Sequence, residues 1–325
     1  MKTRITEIFG IEYPIVQGGL AYLAYAELAA AVSNAGGLGQ ITAATLRTPE
    51  KLRDEIRKVR TLTNKPFAVN FAIARHDGQY MDLLEVIIEE KVPAISITGA
   101  NPQPVFERIK GENIRTLVLV AGVRQAQKAE QLGADAVMVV GQEGGGHLGR
   151  DDIGTIVLTP RVVDSVSIPV LASGGIGDGR GLLAALALGA EGIEMGTRFI
   201  ATQECIHANE KYKQAILQAK ETDTVIIKKT IGAPARALKS GYTLDIVERE
   251  KGGATYEDLQ DFISGKANCK YIYDGNETEG FGWGGQVIGL INNIPTVQGL
   301  FDEMILTAEK GLSRMENIIG ERTCK

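Results

Sequence analysis

Short apolar runs recur along the first 200 residues, each ending in glycine or a small polar residue and each followed by a stretch with helical spacing. Eight runs follow this pattern, and they lack the alternation of apolar and polar residues that marks a half-exposed strand. They cover residues 14–17, 38–42, 67–71, 94–98, 116–120, 136–140, 170–173 and 192–196. Such continuous runs are typical of strands buried on both faces, as in a parallel sheet.

Helices are predicted between these runs, at 25–34, 49–60, 81–90, 123–132 and 179–188. Thr48 is the expected N-cap of the second helix, with Pro49 in its first turn. Strands that alternate with helices indicate βαβ units. Eight such repeats within about 200 residues favour an α/β fold, the (β/α)8 TIM barrel. An open doubly wound sheet stays the alternative.

The pattern changes after residue 205. Residues 206–284 carry more charge, fewer strand-like runs and scattered turn signals. They predict a smaller, mostly helical second domain that acts as a lid or substrate domain. Residues 297–319 have the spacing of one long amphipathic helix. We expect a returning C-terminal helix within 285–325 to complete the barrel formed by residues 1–205.

Composition narrows the class of protein. The 325 residues include 35 Lys and Arg against 40 Asp and Glu, a net charge of −5, which argues against a broad nucleic-acid footprint. The longest uncharged apolar run, 181–190, is far shorter than the ~20 residues of a membrane helix. The N-terminus lacks the apolar stretch of a signal peptide, and three irregularly spaced cysteines predict neither a disulfide framework nor a zinc site. The expected location is therefore the cytoplasm.

Candidate ligand residues come from the ends of the predicted strands, because barrel active sites lie at the C-terminal ends of strands. These candidates are Gln17, Gly18, Gly19, Asn70, Thr98, Gln142, Glu143, Gly146, Ser173, Gly174, Gly175, Gly196 and Thr197. The last five belong to the loops after strands seven and eight, where barrels often bind phosphate. Backbone N–H groups of glycine approach an anion closely, and the helix at 179–188 would add its positive dipole. The alternative is that these glycines only serve tight turns.

His147 is the candidate catalytic residue. It follows a glycine-rich loop at a predicted strand end, and its ordinary pKa suits proton transfer near neutral pH. His76 and His207 lack such a setting and are expected on the surface. Asp151 and Asp152 either cap the next helix or orient His147. No metal motif is visible.

Trp283 lies among glycines in residues 280–286. This position allows two interpretations. The aromatic ring either contacts a planar ligand as part of a lid, or simply packs within its loop.

Taken together, the motifs resemble those of the nitronate monooxygenase family, formerly called 2-nitropropane dioxygenases, over nearly the whole chain. The matching segments are 14–19, 35–39, 66–70, 145–147, 172–176 and 195–199. The resemblance implies a TIM barrel that binds FMN, with a smaller helical domain over the flavin. It also implies these positions: Gly18 and Gly19 beside the isoalloxazine, Asn70 bonded to the flavin, Gly174, Gly175, Gly196 and Thr197 at the phosphate, Gln142, Glu143 and Gly146 flanking the cofactor, and His147 facing the substrate.

Relatives with other activities share most of these motifs. Enoyl-ACP reductase II and an NADH:quinone reductase branch are similar, and segment 146–153 looks closest to the latter. Some of these reductases have Lys on the fifth strand, where this chain has Val120. Without that cation, stabilisation of reduced, anionic FMN would be weaker, which counts against a nicotinamide-dependent activity.

Two enzymatic hypotheses follow from the resemblance. In the first, the protein oxidises alkyl nitronates such as propionate 3-nitronate with O2, and His147 donates a hydrogen bond to the substrate or acts as a base. In the second, NADH or NADPH reduces the flavin, which then reduces a quinone or an enoyl-ACP thioester. For an acidic carrier protein, Lys228 and Lys229 are candidates for a basic patch. The partners expected are a small-molecule substrate and O2 or a quinone, without nucleic acid or membrane, and a homodimer is compatible with the sequence.

Two further classes remain as alternatives. A flavin-binding sensor without enzymatic activity is disfavoured by the placement of His147 and by the separate lid-like segment. A flavin-free enzyme acting on a phosphorylated sugar would use the same phosphate loops. A yellow purified protein would exclude the second of these.

Overall fold

A computed structural model describes residues 1–73 and 80–320 of the chain. The predicted surface residue His76 and the last residues of the predicted segment 285–325 lie outside these ranges. The described strands are β1 (Ile15–Gln17), β2 (Gly39–Thr42), β3 (Phe67–Ile73), β4 (Ala94–Gly99), β5 (Arg115–Val120), β6 (Ala136–Val140), β7 (Gly146–His147), β8 (Val170–Ser173), β9 (Gly192–Met195), β10 (Thr224–Ile227) and β11 (Ala235–Leu238).

Eight parallel strands form a barrel. Their order in the sheet is β1-β9-β8-β6-β5-β4-β3-β2. The two ends of this sheet meet, since Gln17 N donates to Leu38 O at 3.0 Å and Leu38 N donates to Ile15 O at 2.9 Å. Each predicted strand is present, with bounds that differ by a few residues. The (β/α)8 prediction is therefore confirmed, and the open-sheet alternative is wrong.

Helices surround the barrel. The described α-helices are α1 (Arg4–Phe9), α2 (Ala26–Asn34), α3 (Ala43–Leu46), α4 (Pro49–Leu62), α5 (Tyr80–Glu89), α6 (Gln103–Arg108), α7 (Val123–Gln131), α8 (Thr155–Val163), α9 (Gly179–Ala187), α10 (Thr197–Ile200), α11 (Glu210–Gln218), α12 (Gly241–Lys251), α13 (Tyr256–Leu259), α14 (Gly265–Asp274) and α15 (Val297–Ile319). A 3₁₀ helix covers Gln286–Leu290. Within residues 1–73 and 80–320, no helix combines the length and apolarity needed to cross a bilayer.

Local sequence explains where these helices begin. Thr48 is the N-cap of α4, and its hydroxyl accepts a hydrogen bond from Lys51 N at 3.3 Å. Its extended backbone and the proline that follows are the features that favour a helix start. This confirms the predicted cap.

The core has two layers. Small and aliphatic side chains such as Ala68, Leu117 and Met138 fill the barrel, and Ile5 and Phe9 of α1 pack into the same cluster. A second layer lies between the strands and the outer helices. Burial on both sides of each strand is the reason that the strand sequences do not alternate.

Residues 206–284 contain helices α11 to α14, and they also contain β10 and β11, which were not predicted. These strands pair antiparallel with each other, and β11 pairs antiparallel with β7, so that Ala235 lies opposite His147. Helix α15 returns to the barrel and packs on α9, where a Cβ atom at Gly179 would lie 2.5 Å from Ala308 N. The domain boundaries at 205 and 284 stay predictions.

Candidate active site

A cavity of about 580 Å³ opens at the C-terminal ends of the barrel strands. Its size lies within the range typical of small-molecule and cofactor sites. Most of the predicted site residues line it: Gly18, Gly19, Asn70, Thr98, Glu143, Gly146, His147, Ser173, Gly174, Gly175, Gly196 and Thr197. Apolar side chains, among them Leu23, Met138 and Ile200, form much of the remaining wall. The sequence therefore located the cavity, and the binding roles of these residues stay predictions.

Gln17 and Gln142 are placed differently from the other candidates. Gln17 is fully buried, and its Nε2 donates to Gln40 O at 2.8 Å. Gln142 Nε2 donates to Gly149 O at 3.0 Å and to Asp151 O at 2.8 Å, so it holds the loop that follows His147. Neither residue is among those that line the cavity, so the structure gives both a supporting position.

Gly18 and Gly19 permit close packing beneath the cavity. A Cβ atom at Gly18 would overlap Glu194 Oε1, and one at Gly19 would lie 2.7 Å from Asn70 Nδ2. Asn70 is itself fixed, because its Nδ2 donates to Ser96 Oγ at 3.0 Å. Side chains at either glycine would therefore displace the polar groups that form this wall.

The two predicted phosphate loops lie side by side at the edge of the cavity. Gly174 and Gly175 both have positive φ angles, 94° and 76°, which L-residues with side chains rarely adopt. Thr197 begins α10, and its hydroxyl accepts a hydrogen bond from Gly285 N at 3.0 Å. Turn geometry thus accounts for the two glycines, and the same turn also places their backbone on the cavity wall.

The helix after the first loop is not arranged as expected. Asp178 caps α9, and its carboxylate accepts from Arg180 N at 2.9 Å and from Gly181 N at 3.2 Å. A carboxylate therefore already neutralises the positive end of this helix. The cap reduces what the helix dipole would contribute to phosphate binding, and the phosphate role of this loop stays a prediction.

His147 lies at the mouth of the cavity beside Lys228. Its Nε2 is 2.8 Å from Lys228 Nζ, and its ring centre is 5.7 Å from that of Trp283. His147 is exposed at the cavity mouth, and its ring is flanked by the Lys228 and Trp283 side chains. Desolvation by the neighbouring protein atoms, with a further contribution from the charge of Lys228, lowers the pKa of His147 to about 4. His147 is therefore neutral at physiological pH.

Lys228, one of the two lysines that the sequence offered for a basic patch, lies against the ring of His147. Burial lowers the pKa of its amine to about 8, against a smaller opposing effect of Glu250. Its backbone has φ 65°, an unusual angle for a residue with a long side chain. Strained backbone of this kind clusters at functional sites, which makes Lys228 a functional candidate. Lys229, the other predicted cation, is exposed.

Trp283 both packs and lines the cavity. Its ring meets Phe281 edge-on with centroids 4.8 Å apart, and Lys228 Nζ lies 5.8 Å from the ring centre. Packing within the loop is therefore confirmed, and contact of the ring with a planar ligand stays a prediction.

Asp151 and Asp152, which follow His147, neither cap the next helix nor orient the His147 ring. Helix α8 has Gly154 as its N-cap, and Glu143 accepts from Thr155 N at 2.8 Å and from Thr155 Oγ1 at 3.0 Å. Glu143 thus does the capping, and Lys228 is the residue that contacts the His147 ring. His207 also differs from expectation, since it is half-buried with its ring centre 4.1 Å from that of Tyr25.

Glu194 is a cavity residue that the sequence reasoning missed. It lies on β9, lines the cavity, and accepts a hydrogen bond from the Ser173 hydroxyl. Burial raises the pKa of its carboxyl group, and the bond from Ser173 opposes this only in part. A charged residue within an otherwise apolar strand was the signal that could have revealed it.

Comparisons with known proteins identify relatives of the whole chain. The family described as nitronate monooxygenase matches residues 2–78 and 72–307. A probable nitronate monooxygenase of Staphylococcus saprophyticus is 32% identical over 97% of this chain and 99% of its own length. A (3aS,4S,5R,7aS)-5-hydroxy-7a-methyl-1-oxo-octahydro-1H-indene-4-carboxyl-CoA dehydrogenase of Rhodococcus jostii is 33% identical over 97% of this chain and 98% of its own. The structure of FabK from Thermotoga maritima has a TM-score of 0.92 and 36% identity, and covers 98% of this chain and 99% of its own.

Proposed function

The chain belongs to the nitronate monooxygenase family, and on that premise we propose that it is an FMN-dependent oxidoreductase that oxidises alkyl nitronates with O2. The observation that carries this proposal is the pairing of neutral His147 with cationic Lys228 at the cavity mouth. A nitronate bears its negative charge on the nitro oxygens. A cation and a hydrogen-bond donor side by side are the groups that stabilise such an anion.

The residues around the cavity fit FMN. The positive-φ turn at Gly174 and Gly175 brings backbone to the wall without side chains, as a phosphate site requires. Thr197 adds a hydroxyl beside it. Gly18 and Gly19 leave a flat surface above Asn70, where a planar ring would rest. We infer that these residues hold the cofactor, with Asn70 bonding the flavin.

The chain itself supplies binding and orientation. FMN, when bound, supplies the electron-transfer chemistry between the substrate and O2. The ammonium of Lys228 has only hydrogens to donate, so Nε2 of neutral His147 accepts and the ring proton lies on Nδ1. His147 therefore offers a fixed N–H donor. Below a pH of about 8, Lys228 stays charged and attracts the anion. With Nδ1 protonated and Nε2 bonded to Lys228, His147 has no free lone pair, so this arrangement favours a nitronate that is already deprotonated over a neutral nitroalkane.

O2 consumption with propionate 3-nitronate tests this function. The FMN-loaded protein is expected to consume O2, and His147→Ala is expected to lower turnover while the bound FMN is retained. His207→Ala, a change at a histidine outside the cavity, is the matched control. Unchanged turnover in His147→Ala would remove the proposed role of this residue. Loss of FMN in that variant would make the role structural instead.

A second candidate is NAD(P)H-dependent reduction of a quinone or an enoyl thioester. It is supported by the match to FabK, with a TM-score of 0.92. A relative named for its action on a carboxyl-CoA compound, 33% identical over 97% of this chain, also favours a thioester. In this reaction His147 and Lys228 would bind the thioester carbonyl oxygen, which becomes negatively charged when hydride is added. Bleaching of the flavin band by NADH or NADPH tests this candidate.

A further inference from the structure

A second cavity of about 620 Å³ lies beside the first, and we call it the side groove. Its floor consists of Ile97, Val118 and Val120, at the ends of β4 and β5. These three side chains belong to the outer apolar layer of the barrel, whereas Leu119 between them belongs with the interior cluster. The side groove therefore runs down the outer flank of the barrel.

The side groove adjoins the candidate active site. Thr98, Gly99 and Leu119 line both cavities. Helix α6 (Gln103–Arg108), which follows β4 here, spans only 6 residues. A ligand with its reactive end beside His147 can therefore extend over the rim into the groove.

One wall of the side groove is basic and rich in amides. Arg124, Lys128 and Gln131 lie at positions i, i+4 and i+7 of α7, which places them on one helix face. Gln125 and Gln127 of the same helix complete this wall. Among the described residues that line the groove, none is acidic or aromatic. The wall thus combines two exposed cations with carboxamides above an apolar floor.

We propose that the side groove binds the phosphopantetheine arm of an acyl thioester. This arm is a linear chain with amide groups, apolar segments and a terminal phosphate. The glutamine side chains match its amides, and Arg124 and Lys128 match its phosphate. A small nitronate would leave the groove unused, so the inference rests on the second candidate function, thioester reduction. It names the substrate class of that function.

The test is titration calorimetry of the FMN-loaded protein with 4′-phosphopantetheine. The double variant Arg124→Gln/Lys128→Gln is expected to bind about tenfold more weakly, since each exposed cation–phosphate contact contributes modestly. Affinity of the unaltered protein is expected to fall with added salt. The matched control is Lys51→Gln/Arg314→Gln, which removes one exposed cation from α4 and one from α15, and neither helix lines the groove. Equal affinity in the two double variants would overturn the proposal.

Titrations with inorganic phosphate and with NADPH show whether the groove recognises the phosphopantetheine arm or another source of phosphate. Inorganic phosphate that binds as tightly as 4′-phosphopantetheine would make the groove a simple anion site and overturn the proposal. A tenfold loss seen only with NADPH would assign the groove to the nucleotide and also overturn it. Failure of the thioester function is distinguishable. In that case enoyl-CoA is not reduced, although 4′-phosphopantetheine still binds and the loss in Arg124→Gln/Lys128→Gln persists.

Discussion

Replacing Lys228 with Met is expected to raise the pKa of His147 by at least about one unit. The two nitrogen atoms are 2.8 Å apart. Even with the permittivity of bulk water, two unit charges at that separation repel by about 1.5 kcal/mol, or about 1.1 pKa units. Lys228 is charged throughout the titration of His147, because its own pKa is about 8 and that of His147 about 4. Desolvation by the neighbouring protein atoms remains in the variant, so the pKa of His147 should stay below its ordinary value.

The assay is NMR titration of ¹³C-labelled histidine in the unaltered protein, Lys228→Met and Lys229→Met. The chain has three histidines, and His147→Gln assigns the resonance of interest. Lys229→Met is the matched control, because Lys229 is adjacent and exposed. Far-ultraviolet circular dichroism over the same pH range reports whether the fold persists. An unchanged pKa in Lys228→Met, or an equal shift in Lys229→Met, would refute the assigned electrostatic coupling.

Three further predictions concern the cofactor, pH and stability. Gly19→Ala is expected to lower the FMN content of the purified protein, measured by absorbance, because a Cβ atom there would overlap the Asn70 carboxamide. Gly241→Ala, where a Cβ atom would meet open space, should leave the FMN content unchanged. Turnover with nitronate should fall as pH rises through about 8, because Lys228 then loses its charge, and a pH profile that is flat from 7 to 9 would contradict this. Phe301→Ala, at a fully buried site where α15 meets the barrel, should lower the free energy of unfolding by about 3–5 kcal/mol in urea titration, whereas exposed Leu312→Ala should change it by less than about 0.5 kcal/mol.

The barrel could be predicted from sequence because its strands carry their own signal. Each is an apolar run bounded by glycine or polar residues, and burial on both faces preserves that signal. Strands β10 and β11 were not predicted from the sequence, although Thr224–Ile227 is rich in β-branched residues. They are short, and besides pairing with each other, β11 pairs with distant Gly146 and His147. The local periodicity of the sequence does not reveal such long-range pairing.

Some residues of the candidate site could likewise be predicted from the sequence, and others could not. Gly18, Gly174 and Gly196 could be predicted because they directly follow strands that the pattern located, and Asn70 because it lies near the end of the predicted strand 67–71. Lys228 could be named but not placed, since β11 carries its loop to His147. Asp178 could have been recognised as a competing cap, because it directly precedes the helix predicted at 179–188 and aspartate is a preferred N-cap residue. Glu194 could not be assigned to the site from the sequence, because the sequence does not show which face of β9 lines the cavity.

Anaerobic mixing of the FMN-loaded protein with propionate 3-nitronate, NADH and NADPH, each alone, tests the central claim most directly. Nitronate oxidation predicts a rapid change of the visible flavin band with propionate 3-nitronate and none with either nicotinamide. Rapid bleaching by NADH or NADPH, with no response to the nitronate, would contradict it and favour the reductase.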